Sequence, residues 1–356
     1  MKNSIIVGIA VLVILIFALV LTKSDSQILP NLPGGFKQIS GNSFVFTAAG
    51  DYGAHEKRAG VVLSGINPTQ SGANFHLALG DLSYAQKKTE SDWCDFVKSK
   101  VGADFPFEII SGNHEGDGTS QGNFIDNYKN CLPHRLVNMT GDYSREYYFD
   151  YPDKGVGVKP VARFINISPG INFPEGKYNY TKGNAHYNWV VTAIDSARGE
   201  GIKWVIVSMH KNCISMGRKS CEIGTDIFNL LVEKKVDLIL QGHDHNYQRS
   251  KQLTLGTNCI EIKRSGFVSG CVADDGQDHE YIKGKGTVLN IIGTGGNGNY
   301  EIAPNDSEAG FFAKWNGTKS KPTFGFLRAE VSDSQLSVSF VAKAGTPFLD
   351  HYTIKE

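Results

Sequence analysis

Several features are missing from this chain of 356 residues, and each absence removes a class of function. There is no surplus of basic charge: 36 Lys and Arg balance 36 Asp and Glu, so the chain lacks the broad electrostatic footprint of a nucleic-acid binder. Any anion binding must therefore be local. No two of the six cysteines stand at C-x-x-C spacing, which argues against a zinc ribbon or a thiol redox motif. No internal repeat or low-complexity tract is present, which excludes solenoid and fibrous architectures. What remains is an ordinary apolar content, 40% of residues, enough to bury one large α/β core.

Only one long apolar run occurs, Ile5 to Leu21, flanked by Lys2 and by Lys23-Ser24-Asp25. It reaches the roughly 17 residues that a helix needs to span a bilayer, and no small-x-small cleavage site follows it cleanly. The expected organisation is a transmembrane signal anchor over residues 1–22, a Pro- and Gly-bearing linker over 23–42, and a single domain over 43–356. The remainder reads as exported: a cell-membrane protein with its domain outside the cell or in the lumen, or secreted if the anchor is cleaved. Asn138, Asn166, Asn179, Asn305 and Asn316 begin glycosylation sequons. The cysteines are even in number, and the last four form two close pairs. Cys213–Cys221 and Cys259–Cys271 are the expected disulfides, leaving Cys94–Cys131.

Strand-like runs at Phe75–Leu79, Glu108–Ser111, Trp204–Ser208 and Val236–Gln241 alternate with helical spacing at Ala59–Ile66, Asp92–Val101, Tyr187–Ala197 and Asp226–Lys234. That alternation predicts βαβ units and a helix-covered sheet. From Thr287 onward, TVLNIIGTGG, FGFLRAEVS, QLSVSFVAK and FLDHYTIK read as consecutive strands, predicting a second, largely antiparallel sheet.

The polar residues of interest follow the apolar runs. Asp51 ends FVFTAAGD, Asp81 and Tyr84 lie in GDLSY, and Asn113, His114 and Glu115 lie in GNHE. His210 ends VSMH, and His243, Asp244 and His245 lie in GHDH. Any one of these is ordinary turn chemistry. Five in succession place carboxylates, an amide and histidines together in the crevice beyond the carboxyl ends of strands.

The series D-x-G, G-D-x-x-Y, G-N-H-E, V-x-x-H, G-H-x-H resembles the purple acid phosphatases, a branch of the calcineurin-like metallophosphoesterases. GDLSYA and GHDHNYQRS are close to the plant-type enzymes, and the chain has room only for the small, single-domain architecture. The resemblance implies a four-layer α/β/β/α sandwich of two mixed sheets. It implies two metals, the first held by Asp51, Asp81, Tyr84 and His245, the second by Asp81, Asn113, His210 and His243. Gly53 stands where other phosphoesterases of the superfamily carry a histidine, and the Tyr84 phenolate replaces that ligand. A hard anionic oxygen donor favours Fe(III) at the first position, while the second suits divalent Fe, Zn or Mn. The implied reaction is phosphomonoester hydrolysis by a metal-activated hydroxide, with Asp81 bridging the metals and His114 assisting the leaving group or binding phosphate; Glu115, beside His114, is the expected carboxylate partner that orients it.

One segment departs from the pattern. Where the family carries a further histidine after His210, this chain has Arg218 and Lys219 inside the loop that a Cys213–Cys221 bridge would close. Both are candidate substrate-binding residues, and cations that keep their proton predict a pH optimum higher than the family's. The expected partners are small phosphorylated substrates and, through the anchor, a membrane, with no nucleic acid. Two other readings compete: a phosphodiesterase or nucleotide pyrophosphatase on the same fold, and a catalytically silent surface binding protein. His55 is a further candidate ligand in place of Tyr84, two residues beyond Gly53.

Overall fold

The run FVFTAA becomes strand β1 (Phe44–Ala49), buried along nearly its whole length, the environment that a central parallel strand occupies. The structure, a computed structural model, describes residues 43–117, 123–153, 159–264 and 266–356. The expected anchor (1–22) and linker (23–42) lie outside the described residues. Among the described residues no helix is long and apolar enough to cross a membrane.

β1 pairs in parallel with β2 (Phe75–Ala78), and β2 with β3 (Phe107–Ile109). On its other edge β1 runs antiparallel to β17 (Thr323–Val331), followed by β18 (Gln335–Gly345), β19 (His351–Lys355) and β14 (Glu280–Ile282). The second sheet has the order β16 (Phe312–Asn316), β11 (Tyr247–Ser250), β15 (Val288–Ile292), β10 (Leu238–Gln241), β9 (Trp204–Met209), β6 (Ala162–Asn166), β5 (Glu146–Tyr151) and β4 (Thr140–Asp142). Its four central strands, β15, β10, β9 and β6, are parallel. Two hairpins, β7 (Asn172–Phe173) with β8 (Gly176–Lys177) and β12 (Gln252–Leu253) with β13 (Val272–Asp274), stand apart.

Both large sheets are thus mixed. The strands after Thr287 do not form an antiparallel sheet of their own: β15 and β16 complete the second sheet, while β17 to β19 cover the open edge of β1. An edge beside β1 would expose unpaired backbone groups, and an antiparallel return from later in the chain satisfies them.

The sheets face each other through interdigitated aromatic rings. Phe46 and Phe75 from the first sheet meet Phe164 of the second at 5.1 Å, edge to face, and Phe75 meets Phe149 at 5.6 Å. Helices α1 (Val61–Ile66) and α3 (Glu90–Val101) pack Val62, Leu63, Trp93 and Val97 into this same core, with α2 (Pro68–Ser71) between them in sequence. Helices α5 (Ala185–Gly199) and α6 (Thr225–Glu233) cover the second sheet through Val190, Ile194, Ile227 and Leu231. α3 starts at a capping box in which Thr89 and Asp92 exchange side-chain and backbone hydrogen bonds. α4 (Ile125–Cys131) is joined to α3 by Cys94–Cys131; Cys213–Cys221 and Cys259–Cys271 complete the expected pairing.

Two buried ion pairs lock the strands. Arg163 of β6 holds Asp150 of β5 through Nε and Nη2 at 2.7 and 2.9 Å, and its Nη1 reaches Ala193 O in α5 at 3.0 Å. Arg249 of β11 holds Asp350 at 2.8 and 3.1 Å, and Asp350 also accepts from the Tyr247 hydroxyl at 2.8 Å. This second pair joins the two sheets. One expected sequon is affected by the fold: Asn166 ends β6, is 2% exposed and accepts a hydrogen bond from Ser208, so its side chain is closed to modification in the folded chain. Asn138, Asn179 and Asn305 are exposed and Asn316 is half-buried.

His76, fully buried in β2, lies between the Thr47 hydroxyl at 2.8 Å and the Tyr52 hydroxyl at 2.5 Å. Burial drives its pKa down from 6.5 to about 3. Between those values the unfolded chain binds a proton that the folded chain refuses, so stability is lost as pH falls through 6.5 towards 3. The slope is about 1.4 kcal/mol per pH unit. Denaturant titrations from pH 7 to pH 4 should show wild type losing stability more steeply than His76→Gln by about that slope; equal slopes would contradict the assignment.

Candidate metal centre

Strand register brings the donors to one level. Ala49, Ala78 and Ile109 are paired side by side across β1, β2 and β3, and Met209 pairs with Gln241 across β9 and β10. Asp51, Asp81, Asn113, His210 and His243 all follow within a few residues of those positions. The carboxyl ends of the parallel strands of both sheets therefore open onto a common crevice.

Two donor groups result: Asp51, Asp81 and His245, and Asp81, His210 and His243, each with its ligand atoms within 4.8 Å of one another. The Tyr84 hydroxyl donates to Asp51 Oδ1 at 2.7 Å and lies 2.9 Å from His245 Nε2, joining the first group. Asn113 Oδ1 lies 3.1 Å from His210 Nε2, joining the second. All seven expected ligands are thus gathered, and Asp81 is common to both groups. His55 is not among them; it is exposed at the start of the turn Glu56–Gly60.

Each histidine is aimed by its other nitrogen. His210 Nδ1 donates to Leu79 O at 2.8 Å, and His245 Nδ1 donates to Asn297 O and Gly298 O at 3.0 and 3.1 Å. His243 Nε2 donates to Glu222 Oε1 at 2.8 Å, and Lys211 Nζ holds the other oxygen of Glu222 at 3.0 Å. Such outer partners fix both tautomer and ring orientation in metal sites. They leave Nε2 of His210 and Nε2 of His245 facing Asp81 and Asp51, and Nδ1 of His243 3.1 Å from His210 Nε2.

The donor backbone is conformationally costly. Asp51, Asp81, Tyr84 and His243 all have positive φ, at 64°, 50°, 53° and 69°. A non-glycine residue there costs about 1 kcal/mol or more, which the surroundings must supply. Asp51 N donates to Gly80 O at 3.1 Å, Tyr52 N to Asp81 O at 3.0 Å, and His243 N to Asp51 Oδ2 at 2.8 Å. Gly53, with φ 66°, continues this ladder to Leu82 O at 2.8 Å; a Cβ there would lie 2.6 Å from Gln86 Oε1.

Glu115 does not orient His114, as its position in G-N-H-E suggested. Its carboxylate turns inward and accepts from three backbone N–H groups: Asp81 at 2.9 Å, Gly112 at 3.0 Å and Leu82 at 2.8 Å. Burial and the nearby Asp81 charge push Glu115 up to about 8, against the pull of those N–H donors. His114 remains half-exposed, its ring 4.5 Å from that of Tyr84 and its Nε2 3.8 Å from Asp81 Oδ2.

The charges at the site fit a cationic occupant. Asp51 and Asp81 are 0% and 2% exposed, and among the described residues neither pairs with a lysine or arginine. Burial alone would raise both carboxyls; the neighbouring histidines outweigh it and hold both below the usual range. His210 answers reciprocally: burial lowers it, but the Asp81 charge and hydrogen bond raise it to about 9. Tyr84 is driven well above 10 by burial and by the charges of Asp51 and Asp81. Buried carboxylates, a phenol and histidines with preset nitrogens are the donor set of a hard-cation centre.

Further side chains surround the donors. Tyr300 stacks on His245 with centroids 4.0 Å apart and planes 9° apart, and the Arg218 guanidinium lies 4.5 Å from the centroid of the same Tyr300 ring. Asp244 points away from the donors. It accepts from Ser215 Oγ at 2.5 Å and from the backbone N–H of Arg218 and Lys219 at 3.1 and 3.3 Å, tying the Cys213–Cys221 loop to the histidine loop. Arg218 and Lys219 are therefore held beside the site, and the Lys219 charge is among those that lower His243. Glu222 was detectable only as an acid beside a half-cystine; Tyr300 carried no motif.

Comparison with known proteins agrees with this geometry. A family model described as calcineurin-like phosphoesterase matches residues 44–247. Purple acid phosphatase 1 of Ipomoea batatas is 24% identical over 232 residues, covering 62% of this chain and 46% of that protein. A protein of Arabidopsis thaliana named probable inactive purple acid phosphatase 24 is 24% identical over 280 residues, covering 73% and 39%. The chain thus spans less than half the length of these curated relatives. The solved purple acid phosphatase from yellow lupin (Lupinus luteus) seeds superposes with a TM-score of 0.64 at 19% identity, over 88% of this chain and 54% of that one, a likeness of fold.

Replacing Glu115 by glutamine keeps one acceptor oxygen but sets an NH2 donor against at least one of the three backbone N–H groups. Glu115→Gln should cost about 1–3 kcal/mol in denaturant unfolding. A loss within experimental error of zero would show that Glu115 does not hold the Asp81 backbone.

Proposed function

Because the chain belongs to the calcineurin-like phosphoesterases, its likeness being to their purple acid phosphatase branch, we propose that it is a binuclear-metal acid phosphatase that hydrolyses phosphomonoesters outside the cell. The observation that carries this reading is the meeting of Asp51, Asp81, Tyr84, Asn113, His210, His243 and His245 in one crevice whose carboxylates and histidines are buried. In this reading Asp51, Asp81, Tyr84 and His245 hold Fe(III), and Asp81, Asn113, His210 and His243 hold a divalent Fe, Zn or Mn. When bound, such a pair supplies a strong nucleophile from water at mildly acidic pH and neutralises charge developing on the phosphoryl oxygens.

The side chains then divide the remaining work. Asp81, shared between the groups, offsets the repulsion between neighbouring cations. His114, half-exposed and anchored at its backbone N–H to Asp81 Oδ1 at 3.0 Å, faces the open side, where it protonates the leaving oxygen or holds phosphate. Arg218 and Lys219 attract and position the phosphate dianion without exchanging protons near neutral pH. Export is supported by the three disulfides and by sequon asparagines at the surface.

One observation favours the competing reading of a silent binding protein: the Arabidopsis relative is itself named probable inactive. The full donor set of this chain weighs against it. Elemental analysis of the purified protein should find two metals per chain, and a broad visible tyrosinate-to-iron band should vanish in Tyr84→Phe. A metal-free protein with no hydrolysis of p-nitrophenyl phosphate would leave only the binding reading. Faster turnover of the bis(p-nitrophenyl) ester than of the monoester would instead favour a phosphodiesterase.

The loop cations generate a pH prediction. Arg218→Ala and Lys219→Ala should each raise KM for p-nitrophenyl phosphate by about ten-fold, the loss of one charge-assisted contact. Arg218→His should make affinity fall as pH rises through about 6.5, where an imidazole loses its charge. Profiles of all three that superimpose on wild type would remove both residues from the substrate site.

A further inference from the structure

Of the three histidines in the donor cluster, two lean on main-chain carbonyls, His210 on Leu79 O and His245 on Asn297 O and Gly298 O. His243 leans on a side chain. Its partner, Glu222, is 32% exposed at the side chain and is braced in turn by Lys211, whose side chain is 14% exposed. A carboxylate on a loop aims a ring only if the loop that carries it is itself held in place.

The loop from Lys211 to Glu222 is fixed at both ends. At its start, Gln241 Nε2 donates to Lys211 O at 2.8 Å, and the fully buried Asn212 donates through Nδ2 to Gly242 O at 3.1 Å. Lys211 and Asn212 are thereby stitched to the two residues that precede His243. At its end, Glu222 N donates to Asn212 O at 3.0 Å, and Cys221 is bridged to Cys213. Lys211 Nζ reaches Gly170 O at 3.1 Å as well as Glu222, and a Cβ at Gly170 would lie 2.6 Å from Glu222 O. The result is a closed bracket that starts beside His210 and delivers a carboxylate to His243. In the first donor group, Asp51, Tyr84 and His245 take their hydrogen bonds from one another, from His243 N and from residues 297 and 298, none of them in the bracket.

We propose that Lys211 and Glu222 are positioning residues for the second metal, and that the bracket closed by Cys213–Cys221 sets occupancy of that site independently of the first. With Glu222 in place, the His243 proton is held at Nε2 and Nδ1 is left bare, 3.1 Å from His210 Nε2. Without it, the ring is free to turn or to carry its proton on Nδ1, and the second group loses a donor. The first group keeps all of its donors in either case. The chain then has two metal contents, one ion with the bracket open and two with it closed. Arg218 and Lys219 ride on the same bracket, so the cations assigned to phosphate come into place together with the second metal. The inference rests on the binuclear reading, and its test reads metal content rather than turnover.

The test uses the purified chain loaded with iron, into which zinc is titrated calorimetrically while the visible tyrosinate band is followed. Glu222→Ala should weaken zinc binding about ten- to a hundred-fold and leave the band unchanged. Glu222→Gln, which keeps an acceptor oxygen for His243 Nε2, should lose less, and Lys211→Ala should lose less again. Cys213→Ser combined with Cys221→Ser should match Glu222→Ala for zinc; should that variant fail to fold, the Glu222 pair decides alone. Zinc affinity equal to wild type in Glu222→Ala, or loss of zinc and the tyrosinate band together, would overturn the inference and leave the phosphatase reading standing. A wild-type chain that binds neither iron nor zinc would sink the binuclear reading itself.

Discussion

Two carboxylates removed from water within one crevice are the constraint around which this molecule is organised. An ionised Asp51 or Asp81 cannot stay buried without compensation, and among the described residues no lysine or arginine pairs with either one. The structure answers with histidines turned by Leu79 O, Glu222 and the Asn297–Gly298 carbonyls, with backbone N–H groups, and with Glu115 bracing the loop of Asp81. The left-handed backbone at Asp51, Asp81, Tyr84 and His243 shows that the arrangement is imposed on the chain rather than relaxed into. Local geometry is sacrificed so that charge can converge, the relation between strain and site found where function rather than stability sets the conformation.

Net neutrality conceals a marked local division of charge. The crevice floor is acidic and histidine-lined, whereas Arg218 and Lys219 stand on one flank and Arg58 and Lys319 line a cavity on another, behind the backbone of residues 297–299. Each flank is tied to the floor by hydrogen bonds between segments far apart in the chain: Asp244 to the Arg218 loop, and Asn297 to the backbone of Asp51. Cations anchored this way stay close to the acidic floor without neutralising it.

The strand ends were readable from sequence because both signals are local: apolar runs such as FVFTAA mark buried strands, and polar residues directly after them mark the crevice. All seven donors lie at such places. The strands β5 and β6 were not anticipated. In β6 the charged Arg163 and polar Asn166 interrupt the apolar pattern, and burial of Arg163 is compensated by Asp150 across the sheet and by Ala193 O and Ser196 of α5. The placement of β17 to β19 beside β1 was hidden for a related reason, since pairing across more than 250 residues leaves no local trace. Glu115 illustrates the limit of motif spacing: adjacency to His114 suggested a partner, while the tight turn sends its side chain to the backbone beneath Asp81. Tyr300 and Glu222 act through stacking and a single hydrogen bond to ligand histidines, relations that only three-dimensional proximity creates.

The buried pair between Arg249 and Asp350 has a consequence for biosynthesis. Arg249 stands four residues after His245, on the strand that carries the histidine loop into the second sheet, while Asp350 directly precedes β19 of the first. As the polypeptide emerges from a ribosome, both aspartates, the tyrosine and all three histidines are outside before Asp350 has been synthesised. During that interval Arg249 has no counter-ion, and β1 lacks the neighbour that β17 will provide. The donors thus precede in the chain the residues that tie the two sheets together.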